Sequence, residues 1–316
     1  MELNMRWGKY EFICSFNNHA MLPKYKGSTF RGVFGHALKK VVCALKNQEC
    51  INCMLRTQCI YPLVFETPTV RSPPENSNIS AVPHPFVIEP PMTLQTEFYK
   101  NDSFNFNLLL FGDMNNNLPY FIYAFDQMGK AGVGTKINGS RGSFSLNKVI
   151  YMDKTIYSDM EKKLAMTQPL ENLWKHYSEN LYNQVSRIQL TLETPLRFKR
   201  NNRLSDELPF HVLVRLMLRR VSSLMTCYGS GEPLIDYKEL VKKAEHVQVE
   251  NSNFQWFDWQ RYSTRQEQKM SMGGIAGTVI YKGELDEFMP LIDFCTKVHI
   301  GKQTTFGLGK VFVEMV

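Results

Sequence analysis

Ser28-Thr29-Phe30-Arg31-Gly32-Val33-Phe34-Gly35-His36-Ala37-Leu38-Lys39-Lys40-Val41-Val42-Cys43-Ala44-Leu45-Lys46 is the stretch on which the fold turns. Its apolar residues (Phe30, Val33, Phe34, Ala37, Leu38, Val41, Val42, Leu45) recur at three and four, which predicts a helix with one buried face. Ser28 or Thr29 is suited to cap it. The pattern returns at a constant offset in Leu208–Cys227: Phe30 aligns with Phe210, Leu38 with Leu218, Lys39-Lys40 with Arg219-Arg220, and Val41 with Val221. Two helices with one pattern suggest a unit used twice.

The flanks agree. Strands are predicted at Lys9–Phe16, Phe104–Phe111 and Phe144–Met152, a short helix at Pro119–Met128, and a turn with five glycines at Gly129–Gly142. The second half repeats the order. Strands fall at Val185–Glu193, Gly273–Tyr281 and Lys310–Val316. A helix falls at Asp286–Val298, and a glycine turn holds Gly301, Gly307 and Gly309. One strand in each half is not placed. Thr67–Pro91 carries Pro68, Pro73, Pro74, Pro83, Pro85, Pro90 and Pro91 and reads as a long loop. The order fits an α+β fold of tandem ferredoxin-like (RRM-like, βαββαβ) domains. The expected boundaries are 1–153, with a four-cysteine insertion at 43–59; a connection at 154–184; and 185–316. One large α+β domain is the alternative.

The chain has 316 residues, 43% of them hydrophobic, enough for two cores. No run of eighteen apolar residues predicts a membrane span. The start, Met1–Tyr10, lacks the apolar centre of a signal peptide, so the expected location is the cytoplasm. The net charge of +7 permits a polyanionic partner without requiring one. Arg197, Lys199, Arg200, Arg203, Arg215, Arg219 and Arg220 form a dense basic run. It reads either as a solvated face or as a phosphate site. Lys136 and Arg141 lie in the first glycine turn, and Lys302 and Lys310 flank the second; glycine there lets backbone approach a phosphate. Gly309-Lys310 is followed by Val311, so there is no Walker pattern and no case for a nucleotide cofactor. Phe254, Trp256, Phe257 and Trp259 are candidates for base stacking, although their alternation favours a half-buried strand. RNA in a cleft between two such units is the expectation that charge and fold jointly support.

The segments Leu22-Pro23-Lys24-Tyr25-Lys26-Gly27 running into Ser28–Leu38, Cys59-Ile60-Tyr61, Phe65-Glu66, Thr194-Pro195-Leu196, Met272-Gly273-Gly274-Ile275-Ala276-Gly277 and Thr305-Phe306-Gly307-Leu308-Gly309-Lys310-Val311 resemble the repeat-processing endoribonucleases of CRISPR systems, in the RAMP superfamily. The resemblance spans most of the chain. It implies a cytoplasmic prokaryotic setting and a CRISPR repeat RNA substrate. It implies cleavage without a metal or other catalytic cofactor, through a 2′,3′-cyclic phosphate and a 5′-hydroxyl. Other CRISPR effector subunits are candidate partners. A non-catalytic subunit that only holds crRNA is the alternative function, and a protein–protein scaffold is a third.

Metal-free cleavage needs a base, an acid and a cation at the phosphorane. His36 is the first candidate. It points away from the apolar face, with Gly32 a turn before it, Lys40 a turn after and Lys39 beside it. His19 is the second candidate, and Tyr25 could assist. Arg31 is placed with the RNA contacts. His211, on a strip with Arg215 and Arg219, could instead grip phosphate.

Cys43, Cys50, Cys53 and Cys59 have the spacing C-x6-C-x2-C-x5-C, which suits a closed structural zinc site; an iron–sulfur cluster is a second candidate. Cys14, Cys227 and Cys295 lie in apolar segments and read as core residues.

Overall fold

The computed structural model describes residues 4–46, 48–75, 77–165, 170–173, 182, 184–200, 203–258, 260–263 and 268–316. The chain divides into two compact units. One is Arg6–Glu171; the other is Asn172–Val316 joined by the residues before Arg6. Asn4 and Met5 are held in the second unit, where Asn4 N donates to Ser230 Oγ (2.8 Å) and Met5 N to Asn172 Oδ1 (3.0 Å).

The first unit runs β1 (Arg6–Phe16), α1 (Gly27–Val42), β2 (Phe86–Glu89), β3 (Ser103–Phe111), α2 (Leu118–Ala131), β4 (Phe144–Tyr151) and β5 (Lys154–Ser158). Its strands pair antiparallel in the order β2-β3-β1-β4-β5. The last strand extends the sheet into the stretch expected to connect the domains. A second small sheet joins Ala20–Met21, Glu97–Phe98, Val133–Ile137 and Ser140–Gly142.

The second unit runs β6 (Arg187–Leu196), α3 (Phe210–Tyr228), β7 (Gln248–Phe257), β8 (Gly274–Lys282), α4 (Met289–Val298) and β9 (Val311–Met315), in the order β7-β8-β6-β9. Both units therefore have the βαββαβ order with the first strand central, the ferredoxin-like arrangement. The strands missing from the sequence reading are β2 and β7. The first sits inside the proline-rich stretch, between Pro85 and Pro90, where both prolines flank the paired residues. The second holds Phe254, Trp256 and Phe257, the run whose alternation favours a half-buried strand: Phe254 and Phe257 are half-buried there, and Trp256 is 44% exposed. Trp259 lies outside the described residues.

The strand and helix periods meet in the core. Along β1, Tyr10, Phe12, Cys14 and Phe16 are buried, at the spacing of two expected for one face. Along α1 the buried residues include Phe30, Phe34, Ala37 and Leu38. Phe34 stacks on Phe125 of α2 at 4.2 Å, and Phe12 meets Phe106 at 4.9 Å and Phe125 at 4.8 Å. In the second unit Phe210 takes the place of Phe30. It lies edge-on to Tyr281 (4.9 Å) and Phe288 (5.0 Å), and the Tyr281 hydroxyl donates to Leu208 O (2.7 Å).

The start of α1 differs from the expected cap. The helix begins at Gly27 with Lys26 as N-cap, and Phe30 N donates to Lys26 O (2.9 Å). Ser28 and Thr29 fall inside the first turn. Lys26 itself is buried, its Nζ donating to Lys24 O (3.1 Å) and Thr93 O (2.6 Å). Burial draws its amine down to about 8.

Replacing Phe34 by Ala should cost about 3–5 kcal/mol, the usual loss for a buried ring. Denaturant unfolding would read it as a lower midpoint at unchanged slope. A loss below about 1 kcal/mol would show that this aromatic cluster does not hold the first unit together.

Candidate RNA-cleaving site

Because α1 buries one face, its opposite strip is committed to solvent. Gly32, His36 and Lys40 are the exposed residues of that strip, one turn apart. A side chain at Gly32 would meet nothing within 4 Å, so the space beside His36 is open. Lys39 is only partly exposed. Its Nζ sits 5.4 Å from the centre of the Tyr61 ring, a cation–π placement that turns it toward the cysteine segment. Arg31 is held similarly, its guanidinium carbon 5.0 Å from the Phe65 ring centre.

Tyr25 lies half-buried in the loop before α1. Burial, and then the Glu89 carboxylate, push its phenol far above the ordinary tyrosine range. Glu89 is itself buried, accepting from Asn107 Nδ2 (2.8 Å) with Lys9 Nζ at 3.5 Å. A phenol in that setting is held in its protonated form.

His19 is half-buried and tied down. Its Nε2 lies 2.8 Å from Glu97 Oε1, and its ring stacks on Tyr99 with centroids 5.0 Å apart and planes at 4°. Glu97 and Tyr99 are the neighbours that sequence reasoning missed. The pairing of Ala20–Met21 with Glu97–Phe98, flanked by hydrogen bonds from Leu22 N to Thr96 O and from Phe16 N to Asp102 O, brings them near, and no local spacing signals it.

The basic residues divide by surroundings. Lys136 and Arg141 are exposed on the Val133–Gly142 hairpin, whose turn has Asn138 at φ 48° and Gly139 at φ 85°. Lys199, Arg203, Arg215, Arg219 and Lys302 are exposed in the second unit. Arg200 pairs with Glu207 (3.1 Å) and Lys310 with Glu193 (3.2 Å), while Arg197 donates to Gly273 O. Burial, followed by Arg215, lowers the His211 pKa, so its imidazole is neutral near pH 7. Arg220, aligned with Lys40 by sequence, does not line a surface. It is buried, and its guanidinium donates to Val298 O (2.8 Å) and His299 O (3.1 Å). The open face of the first sheet carries Lys9, Glu11, Ile13 and Ser15 of β1, with Asn105 donating to Glu11 (2.6 Å). This face is unlike the aromatic one on which RRM modules stack bases.

Among the described residues the expected zinc site finds no support. Among the described residues, no three His, Cys, Asp or Glu side chains converge so as to hold a metal ion. Cys43, Cys50, Cys53 and Cys59 are partly buried free thiols. Burial raises the Cys50 and Cys59 pKa values, and the neighbouring thiols push the same way, while Lys39 and, at Cys59, the Tyr61 backbone amide oppose them. The segment is fastened by packing instead. The Phe65 ring lies 5.7 Å from that of Phe34, and a Cβ at Gly35 would sit 3.1 Å from it. No helix among the described residues is long and apolar enough to cross a membrane.

Residues 5–169 match the family model AF_1859_N, an N-terminal domain, and residues 190–311 match that of the CRISPR-associated endoribonuclease Cas6. An uncharacterized protein of Archaeoglobus fulgidus is 25% identical over 295 residues, 91% of each chain. A Cas6 product complex superposes with a TM-score of 0.57 at 14% identity, covering 98% of this chain and 100% of the other. Thermus thermophilus Cas6 gives 0.53 at 12% identity, covering 98% and 99%. At those identities the two structures speak for the shared fold alone. Residues 5–169, just over half of the chain, place it in the AF_1859_N family, and residues 190–311 form a domain of the Cas6 endoribonuclease family.

Proposed function

We propose that the chain binds CRISPR repeat RNA and cleaves it without a metal ion, by attack of a ribose 2′-hydroxyl on the adjacent phosphate. The observation that carries this reading is the solvent strip of α1. It sets a histidine between a glycine and a lysine on an open surface, within a chain of endoribonuclease family. In this reading His36 transfers the proton, as base toward the 2′-oxygen or as acid toward the leaving 5′-oxygen. Lys40 offsets the charge gathering on the phosphorane, and Lys39, held over Tyr61, contributes at longer range. Tyr25 supports the loop before α1 rather than the proton transfer. His19, paired with Glu97, is a second proton carrier only if that pair opens.

Binding rests on phosphate contacts, which position RNA without reading its sequence. Lys136 and Arg141 supply them in the first unit, and Lys199, Arg203, Arg215, Arg219 and Lys302 in the second. Arg31, Arg197, Arg200 and Lys310 are engaged within the protein and contribute less. CRISPR effector subunits are the protein partners consistent with the family. The cysteine segment takes no part in the chemistry; Tyr61 and Phe65 fix it against α1.

His36→Ala should lower the single-turnover cleavage rate by about two to four orders of magnitude, with repeat RNA affinity within about threefold of the parent, since one exposed histidine adds little to phosphate binding. Cleavage at the parent rate would remove His36 from the mechanism. Brief labelling of the native protein with a thiol reagent should modify Cys43, Cys50, Cys53 and Cys59, leaving the buried Cys14 and Cys295 until unfolding. Protection of the four together, relieved by a chelator, would restore the metal site.

A further inference from the structure

The second glycine turn, His299–Gly309, is closed on itself and tied to the end of β6. Ile300 N donates to Gly309 O (2.9 Å), Lys302 N to Arg197 O (2.8 Å) and Gly309 N to Pro195 O (3.0 Å). His299, at φ 59°, is fully buried, with Nδ1 3.0 Å from Leu308 O. Gly309 has φ 75°, and a Cβ there would lie 1.8 Å from Ile300 O, so the turn has one tightly fixed shape. Something must hold the point where α4 runs into it. The last carbonyls of a helix lack partners within it. Here those of Val298, the final residue of α4, and of His299 accept from one guanidinium, Arg220 of α3, at 2.8–3.2 Å. A positive charge at a helix C-terminus is also favoured by the helix dipole.

We infer that Arg220 is a positioning residue: it grips the end of α4 and so sets the turn that presents Lys302, beside Arg197, to the RNA backbone. The inference rests on the RNA-binding reading above. Arg220 itself reaches no RNA, because it is buried within the second unit. Its fork of donors matters along with its charge, because it serves two successive carbonyls at once.

The test compares Arg220→Met and Arg220→Lys in the full chain with Leu213→Ala, a core truncation earlier on α3 that touches neither carbonyl. Hydrogen exchange at the amides of Ile300, Lys302 and Gly309 is measured, together with affinity for repeat RNA. Arg220→Met should speed exchange at these three amides and weaken binding about tenfold, the worth of one charged hydrogen-bond set. Arg220→Lys, which keeps the charge but loses the fork, should fold and lie between Met and parent in both readouts. Leu213→Ala should lower the melting temperature and leave the turn amides and affinity near the parent. Unchanged exchange in either folded Arg220 variant, or an equal effect from Leu213→Ala, would overturn the assignment. Exchange needs no RNA. Faster turn exchange in a chain whose parent form binds no repeat RNA would therefore count against the functional reading and leave the grip on α4 standing.

Discussion

Everything in each unit follows from one constraint: a helix with a single apolar stripe must bury it against the face of an antiparallel sheet. In the first unit Phe30 and Phe34 enter a layer that already holds Phe12, Phe106 and Phe125. In the second, Phe210 meets Tyr281 and Phe288. Interiors are packed to the density of organic crystals, so such a stripe has little freedom to rotate. That fixes the opposite strip as well. His36 is exposed because Phe34, Ala37 and Leu38 are not. The chemistry proposed for α1 is thus a by-product of where its rings had to go.

The remaining surfaces are set by lesser rules. Sheet faces bearing Glu11 and buried Glu89 suit a polyanion poorly. Hairpins and glycine turns, by contrast, put Lys136, Arg141 and Lys302 on short, stiff backbones. The proposed arrangement divides labour: turns and exposed helix residues would bind charge, while one strip of α1 would offer a proton carrier.

Much of this was legible in the sequence. The three-and-four spacing located α1 and α3, and their repetition exposed the duplicated fold. The sequence failed where tertiary context overrules local signal. All four residues of β2 are buried and bounded by prolines, so no alternation marks them. Most of β7 is exposed and polar, so only its aromatic end, from Phe254 on, carries a period to read. Lys40 and Arg220 look equivalent in pattern, yet one faces water and the other caps α4; which carbonyls lie nearby is not written in the helix. The pairing of His19 with Glu97 depends on two short strands far apart in the chain. The cysteine spacing suggested a metal, which finds no support among the described residues, while Tyr61 and Phe65, a few residues on, stack on each other and Phe65 packs on Phe34 of α1.

The most direct test is chemical. End-labelled repeat RNA is incubated with the pure chain in excess EDTA, and the new termini are identified. The account predicts a discrete cut leaving a 2′,3′-cyclic phosphate on one fragment and a 5′-hydroxyl on the other, and no cut when the reacting ribose lacks its 2′-hydroxyl. A product bearing a 5′-phosphate, or cleavage that requires an added divalent cation, would contradict it.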